Sequence, residues 1–254
     1  MTRKRIDLLL VERGLAVSRS QAQALLMAGR VRGHSKAGEQ VDEGAFLELV
    51  PAPPYVSRAG QKLAHALDRF AVDPAGLDCL DIGASTGGFS DVLLKRGAAR
   101  VIALDVGHGQ LHSDIRDDPR VLVLERVNAR SLRELPFAPQ LLTCDVSFIS
   151  VRLALPPALA LARPGWQALV LVKPQFEARR GEPRKGVVRD PEVQRRVLRE
   201  VASAARGWDA RPAGVVDSGL PGAKGNREFV IHLVHAAHAD FPPELERWID
   251  DAVG

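Results

Sequence analysis

The chain has 254 residues, 46% of them hydrophobic and 26% charged, which is enough to bury the core of one ordinary domain and of a second, smaller one. It contains no run of eighteen apolar residues, and the apolar stretch LLLV near its N-terminus is too short for a signal peptide. We therefore expect a soluble, cytoplasmic, monomeric protein that spans no membrane. Its two cysteines, Cys79 and Cys144, fall in predicted strands and are expected to be reduced and buried, because two thiols alone cannot form a zinc site.

The net charge of +4 is unevenly distributed along the chain. Residues 1–36 contain eight lysines and arginines against two acidic residues, a net charge of +6, so the remaining residues sum to −2. A solvated basic face would give the same composition. An asymmetry this strong within one short segment nevertheless favours an anionic partner.

The first fifty residues predict a small α+β domain. Residues 5–29 have apolar side chains at three- and four-residue spacing, which predicts two short helices separated at Gly14. Ser18, with Gln21 three residues later, fits a capping box at the start of the second helix. Short strands and turns follow. The proline-rich stretch 51–56, PAPPYV, predicts a stiff linker, so we expect domains over residues 1–50 and 57–254.

Beyond the linker, strand-like and helix-like segments alternate, with helices predicted at residues 89–96 and 191–205. Such alternation predicts a mostly parallel α/β sheet with helices on both faces. The glycine-rich interval 217–228 is too short for a crossover helix, so the last strand is expected to pair antiparallel. A seven-stranded Rossmann-like sheet of this kind is typical of methyltransferases. The predicted strands are Leu77–Gly83, Arg100–Val106, Val121–Val127, Leu141–Ile149, Leu169–Lys173, Arg211–Asp217 and Glu228–Val234.

The first of these strands runs into a glycine-rich turn, DIGASTGG, at residues 81–88. This turn does not fit the dinucleotide motif GxGxxG, because Ser85 occupies the position of the second glycine, and it lacks the lysine of a P-loop. Its glycines allow a small ligand to approach the backbone at the carboxyl edge of the sheet. Asp105, at the end of the next strand, could accept hydrogen bonds from a ribose diol, and Asn128 could meet an adenine.

Any one of these residues could be a simple turn glycine or a helix cap, but together they favour S-adenosylmethionine as the cofactor. The expected cofactor-binding residues are Asp81, Gly83, Ala84, Ser85, Thr86, Gly87, Gly88, Asp105, Val106, Asn128, Ala129 and Asp145.

Four charged residues are candidates for catalysis. Asp145, Lys173 and Glu228 lie at or near the ends of predicted strands, where an open α/β sheet has its ligand crevice, and Lys62 precedes the first strand. Burial makes a lysine ammonium easier to deprotonate, so a lysine at this edge could act as a base with a carboxylate beside it. Surface salt bridges would explain the same residues equally well.

Seven distinctive segments run in order from residue 5 to about 235: RIDLLLVERGLAVSRSQAQALLMAGRV, YVSRAGQKLAHAL, LDIGASTGGFSD, CDVSFIS, LVKPQFE, KGVVRD and PGAKGNREF. Together they resemble the TlyA family of ribosomal RNA 2′-O-methyltransferases, which has an FtsJ-like catalytic domain. The family's Lys-Asp-Lys-Glu tetrad matches Lys62, Asp145, Lys173 and Glu228. The resemblance implies methyl transfer from S-adenosylmethionine to the ribose 2′-hydroxyl of an rRNA cytidine, with Lys173 as the base and no metal.

The N-terminal segment resembles the RNA-binding module named for ribosomal small-subunit protein four. A second basic stretch, ARRGEPRKGVVRD at residues 178–190, is expected to form a mobile loop over the target nucleotide, although a plain solvated loop fits as well. The expected partner is ribosomal RNA or an assembled ribosomal subunit, bound through phosphate contacts. The expected RNA-binding residues are Arg3, Lys4, Arg5, Arg19, Arg30, Arg32, Arg58, Arg179, Arg180, Arg184 and Lys185.

Three other functions fit the sequence less well. A membrane-active haemolysin, a label that this family has carried, is disfavoured by the missing signal peptide and membrane segments. A non-catalytic ribosome-assembly factor is disfavoured by the intact tetrad, and an NAD-dependent enzyme by Ser85 and the seventh strand. The series His232, His235 and His238 suggests a metal site, but an odd separation on a strand places the first two side chains on opposite faces, so no metal site is predicted.

Overall fold

The computed structural model describes residues 3–236 and 242–254. The chain divides into two compact units, residues 3–54 and 55–254, so the division falls inside the proline-rich stretch 51–56. No helix in the described ranges is long and apolar enough to cross a membrane.

The N-terminal unit contains two short strands and two helices. These are β1 (Arg3–Arg5), α1 (Ile6–Glu12), α2 (Arg19–Met27) and β2 (Gln40–Asp42), with β1 antiparallel to β2. Ser18 is the N-cap of α2, as predicted, and its hydroxyl accepts a hydrogen bond from the Gln21 amide at 3.2 Å. The Gln21 side chain accepts in return from the Val17 amide at 2.7 Å, so the capping pair is shifted by one residue from the usual box. The core includes the fully buried Ile6, Leu10 and Leu26.

A buried carboxylate organises the basic residues of this unit. Asp7 has no exposed surface, and its oxygens accept hydrogen bonds from Arg5 at 2.9 and 3.0 Å, Arg19 at 2.9 Å, Gln23 at 3.0 Å and the Leu8 amide at 3.0 Å. The hydrogen bonds from Arg5, with those from Gln23 and Arg19, hold the pKa of Asp7 well below its usual range despite its burial. The network therefore fixes β1, α1 and α2 to one another.

We predict that Asp7→Asn destabilises the N-terminal unit by about 3 kcal/mol, because it leaves two guanidinium groups without their buried partner. Amide hydrogen exchange in α1 and α2 would measure the loss. The stabilisation from the Asp7 carboxylate is present above the ordinary aspartate pKa and disappears as the pH falls through its lowered folded value. Glu12→Gln, which breaks the exposed pair with Lys4, is the matched control and should cost less than about 1 kcal/mol. Equal effects for the two variants would contradict the role of burial.

The C-terminal unit is built on a seven-stranded sheet, as predicted. The strands are β3 (Asp78–Ile82), β4 (Arg100–Asp105), β5 (Val121–Glu125), β6 (Leu141–Cys144), β7 (Gln167–Val172), β8 (Ala210–Asp217) and β9 (Phe229–His235). The order across the sheet is β5-β4-β3-β6-β7-β9-β8. The first five strands in this order are mutually parallel, and β9 is antiparallel to both β7 and β8, which confirms the predicted antiparallel last strand.

Helices cover both faces of this sheet. They are α3 (Arg58–Phe70), α4 (Gly88–Lys95), α5 (Ser113–Arg116), α6 (Val151–Ala154), α7 (Pro156–Leu159), α8 (Pro174–Glu177), α9 (Pro191–Ala204) and α10 (Leu245–Val253). Because successive side chains of a strand point to opposite faces, Leu80 and Ile82 pack toward α6, α7, α9 and α10, whereas Cys79 packs toward α3 and α4. Both cysteines are free and buried, as expected.

The predicted strand Leu141–Ile149 is too long. Strand β6 ends at Cys144, and residues 145–150 form a loop in which Phe148 has a φ of 64°. A bulky residue with positive φ is incompatible with a strand.

The connections leave β3 and β6 in opposite directions, since β3 leads to β4 on one side and β6 to β7 on the other. Such a switch point opens a crevice at the carboxyl edge of the sheet. The glycine turn after β3 and the loop after β6 border it.

Candidate active site

Three neighbouring strands bring three of the four candidate catalytic residues to one edge. Asp145 directly follows β6 and Lys173 directly follows β7. Glu228 directly precedes β9, and because β9 is antiparallel, its amino end lies at the edge where the carboxyl ends of β6 and β7 lie. The ladder pairs Val172 with Phe229, so Lys173 and Glu228 face each other one step beyond it.

Lys62 reaches this edge from α3 and pairs with Glu228. Its ammonium donates to Glu228 Oε2 at 2.5 Å, and the two residues are only 9% and 3% exposed. Gln175, two residues after Lys173, donates to the other oxygen of Glu228 at 3.5 Å. Each group of this buried pair compensates the charge of the other, which would be costly to bury alone.

Lys173 makes the second pair. Its Nζ lies 2.5 Å from Asp145 Oδ1 and donates a hydrogen bond to Ser147 Oγ at 2.9 Å. Both side chains are largely buried, although less so than the Lys62–Glu228 pair. The structure thus brings all four candidate catalytic residues into two lysine–carboxylate pairs.

A cavity of about 360 Å³ adjoins this edge. Gly83 allows the glycine turn to lie close to the loop after β6, because a β-carbon on it would lie 2.6 Å from the Asp145 carbonyl oxygen. Ser85 donates its amide to Asp105 Oδ2 at 2.8 Å, which holds that carboxylate at the cavity wall. The lining residues are Ile82, Gly83, Ser85, Leu104, Asp105, Val106, Gln110, Val127, Ala129, Asp145, Val146, Ser147 and Phe148.

Several expected cofactor-binding residues do not line this cavity. Asp81 is fully buried beneath the turn, where its carboxylate accepts from Ser90 Oγ at 2.7 Å and Thr143 Oγ1 at 3.0 Å. Asn128 caps a single 3₁₀ turn by accepting from the Arg130 amide at 3.1 Å. Neither side chain lines the cavity, so a cofactor contact for either residue stays a prediction. The other expected residues outside the lining are Ala84, Thr86, Gly87 and Gly88.

Phe148 was not among the predicted site residues, because its apolar neighbours predicted a strand. The Phe148 ring is 91% exposed at the cavity rim and packs on Phe176 with 5.1 Å between ring centroids. The backbone behind it is fixed by Glu177, which accepts from Ser150 Oγ at 2.5 Å and from the Val151 amide at 2.7 Å. Burial raises the pKa of Glu177. An exposed, well-supported aromatic ring thus lies beside Lys173 and Asp145.

Most of the basic side chains predicted to bind RNA in the N-terminal unit have protein partners. Besides Arg5 and Arg19, Lys4 lies 2.7 Å from Glu12, Arg32 lies 2.7 Å from Glu48, and Arg30 donates to the Val50 carbonyl at 2.5 Å. Arg3 is exposed. These contacts preorient the cations and leave much of each side chain at the surface.

The predicted RNA-binding residues of the C-terminal unit are all exposed. Arg58 lies in the first turn of α3, and Arg179 lies 3.8 Å from Glu200. Within the described residues, Arg180, Arg184 and Lys185 make no ion pair. The buried Gln194 and Asn226 form hydrogen bonds with the loop 178–190 at Val188 and Gly186, and the mobility of the rest of this loop stays a prediction.

The histidine series forms no metal site in the described part of the chain. His232 is buried, pairs with Gln167 at 2.9 Å and stacks on Phe70, and burial lowers its pKa to about 4. His235 accepts from the Gly165 amide at 3.3 Å. His238 lies outside the described residues.

Comparisons with known proteins agree with this architecture. Residues 55–235 match the FtsJ-like methyltransferase family, and residues 4–32 match the S4 domain. The chain is 45% identical to the 16S/23S rRNA (cytidine-2′-O)-methyltransferase TlyA of Mycobacterium tuberculosis, over 91% of this chain and 90% of that protein. It is 38% identical to Hemolysin A of Brachyspira hyodysenteriae, over 91% of this chain and 99% of that protein.

A solved structure of a hemolysin-named protein from Streptococcus thermophilus superposes with a TM-score of 0.76 at 37% identity, covering 99% of this chain and 96% of that one. The chain therefore belongs to the FtsJ-like methyltransferase family, in the group that includes the TlyA rRNA methyltransferases, and it is a methyltransferase.

We predict that Gly222→Ala lowers methyl-transfer activity about 100-fold with the fold retained, since small displacements of catalytic groups have effects of that order. A β-carbon on Gly222 would lie within 2 Å of the Glu228 carboxylate and would displace it from Lys62. Gly207→Ala is the matched control, because nothing lies within 4 Å of the added carbon. A Gly222→Ala enzyme with wild-type activity would show that the position of Glu228 is unimportant.

Asp81 generates a prediction about pH and stability. Burial raises the pKa of Asp81 to about 7, so its neutral form is favoured in the folded protein below that pH. Between the unfolded aspartate pKa and pH 7 the unfolded chain ionises first, so the wild type loses stability as the pH rises through this window. Asp81→Asn, which remains neutral, should gain about 4 kcal/mol of stability relative to the wild type between pH 4 and pH 8.

Urea unfolding followed by tryptophan fluorescence would measure this difference, because Trp166, Trp208 and Trp248, the only tryptophans, all lie in the C-terminal unit. A difference that stays constant with pH would mean that Asp81 is ionised in the folded protein at neutral pH.

Proposed function

We propose that this protein transfers a methyl group from S-adenosylmethionine to the ribose 2′-hydroxyl of a cytidine in ribosomal RNA. The observation that carries the proposal is the joining of Lys62, Asp145, Lys173 and Glu228 into two pairs beside the cavity formed by the glycine turn. The printed activity of the Mycobacterium tuberculosis relative supports the choice of nucleotide. The proposed site of action is the cytoplasm, on RNA held in part by the S4 domain.

The cavity has features that fit S-adenosylmethionine. Gly83 leaves open backbone where any side chain would intrude, and the Asp105 carboxylate is held at the wall by the Ser85 amide at 2.8 Å and the Gly107 amide at 2.6 Å. Asp105 is the proposed acceptor for a ribose diol, with Val106 and Ala129 as apolar contacts for the adenine. When bound, the cofactor supplies a methyl group on a positively charged sulfur, a good leaving group.

Lys173 is the proposed base. A ribose hydroxyl is a poor nucleophile until its proton is being removed, and a lysine amine can accept that proton at Nζ. Asp145 and Ser147, which line the cavity, hold Nζ next to it. Asp145 also stabilises the ammonium that forms once the proton has been taken up. Lys173 takes up this proton as the neutral amine.

The second pair is the proposed positioning device. Glu228 is held by Lys62 and Gln175, so its carboxylate can accept a hydrogen bond from a ribose hydroxyl without moving. Alignment of the attacking oxygen with the methyl group contributes much of the rate. The exposed Phe148 ring offers a surface on which an unstacked base can lie, as is typical of proteins that recognise single-stranded RNA.

We predict that Lys173→Ala reduces methyl transfer to unmethylated ribosomal subunits by about 10²- to 10⁴-fold, the range for loss of a general base. Labelled methyl from S-adenosylmethionine would be located on the ribose 2′-oxygen after nuclease digestion. Lys173→Arg is the sharper variant, because arginine keeps the cation and its pairing with Asp145 but cannot lose its proton. We expect this variant to bind cofactor and subunits and to remain inactive.

Activity retained in Lys173→Arg would exclude Lys173 as the base while leaving the reaction in place. Absence of transfer by the wild type to either subunit or to free rRNA, despite cofactor binding, would exclude ribosomal RNA as the substrate.

A further inference from the structure

Two Lys–Gly turns lie side by side next to the active site. The first is formed by residues 184–187, where Arg184 and Val187 exchange backbone hydrogen bonds at 3.0 Å, and Lys185 and Gly186 both have positive φ, 53° and 79°. The second is formed by residues 223–226, where Lys224 and Gly225 have φ of 56° and 78°. Two consecutive positive φ angles define a type I′ turn, and both lysine side chains are exposed.

Asn226 joins these two turns. It is only 2% exposed, and its amide nitrogen donates to the carbonyls of Gly186 and Ala223, each at 2.9 Å, while its side-chain oxygen accepts from the Val188 amide at 3.1 Å. The side-chain nitrogen and the side-chain oxygen of Asn226 are therefore both hydrogen-bonded, and these bonds hold the two turns together. As a result, a β-carbon on Gly186 would lie 3.5 Å from the ammonium of Lys224.

The cations on these turns have no acidic partner in the described ranges. Arg184, Lys185 and Lys224 are exposed, and no carboxylate in the described residues lies within ion-pair distance of them. The two acidic residues of the same loop are engaged elsewhere, because Glu182 lies 2.6 Å from Arg196 and Asp190 caps α9 through the Glu192 amide at 2.9 Å. Three uncompensated cations on a rigid support attract an anion.

The second turn is also fixed to the catalytic residues. The Gly222 amide donates to the Asn226 carbonyl at 2.8 Å, and Gly222 lies directly against the Glu228 carboxylate. At the other end of this segment, the Ser218 amide donates to the Glu228 carbonyl at 2.9 Å. A group bound by Lys224 is thus held at a fixed place relative to Glu228.

We propose that Arg184, Lys185 and Lys224 on the two joined turns form a binding site for a backbone phosphate of the RNA substrate, near the nucleotide that is modified. The proposal rests on the proposed function for the identity of the RNA. Lys and Arg contacts to phosphates fix the register of a nucleic acid without reading its bases. The site would therefore position the target ribose at Glu228 and Lys173.

The test compares wild type with the double variant Lys185→Ala/Lys224→Ala in binding to unmethylated ribosomal subunits over a series of salt concentrations. We expect the Kd of the variant to rise about tenfold near 0.15 M salt, and the slope of log affinity against log salt to fall by about 1.5, since each lost phosphate contact removes roughly 0.7 to 0.9. The affinity for S-adenosylmethionine should stay that of wild type, which shows that the fold is intact.

The matched control is Arg69→Ala/Arg247→Ala, which removes the same charge from exposed positions on α3 and α10 of the same unit. A double variant with the Kd and salt slope of this control would overturn the phosphate site. Because binding is measured separately from methyl transfer, a wild type that binds subunits but does not methylate them would overturn the proposed function alone.

Discussion

The ammonium groups of Lys62 and Lys173 can be removed from water only where a carboxylate lies within about 3 Å, because an unpaired buried charge is costly. The fold meets this requirement by ending three adjacent strands with Asp145, Lys173 and Glu228, and by packing α3 so that Lys62 reaches Glu228. Strand order, the antiparallel direction of β9 and the glycines that allow close approach all serve this arrangement. A change in any of them would leave one of the four charges without its partner.

The two units use buried carboxylates in different ways. Asp7 accepts from two arginines, so its charge is kept and the guanidinium groups are oriented at the surface. Asp81 accepts from Ser90 and Thr143, has no cationic partner within hydrogen-bond distance in the described residues and lies in the sheet, so burial favours its neutral form at moderate pH. The same residue type therefore supports a charged surface in one unit and a close-packed turn in the other, and its partners decide which.

Periodicity and motif spacing predicted the seven strands, the antiparallel last strand and the residues at the strand ends, because these features depend on local patterns. They could not distinguish Asp81, which is buried, and Asn128, which caps a turn, from Asp105, which lines the cavity. This difference depends on the direction in which each side chain points in the packed unit. Phe148 could not be identified from the sequence, because an apolar residue within an apolar run predicts a strand, and its positive φ is seen only in the structure. Gly222 and Asn226 were missed because their contacts join segments distant in sequence.

The antiparallel direction of β9 has a consequence for how this group of proteins can diversify. Glu228 owes its position to the register of β9 against β7, not to the length of the segment that leads into it. Lengthening a surface loop costs little free energy. Insertions in surface loops that do not contact Glu228 could therefore alter the surface offered to a substrate while the carboxylate stays in place, so selectivity could evolve without disturbing the chemistry.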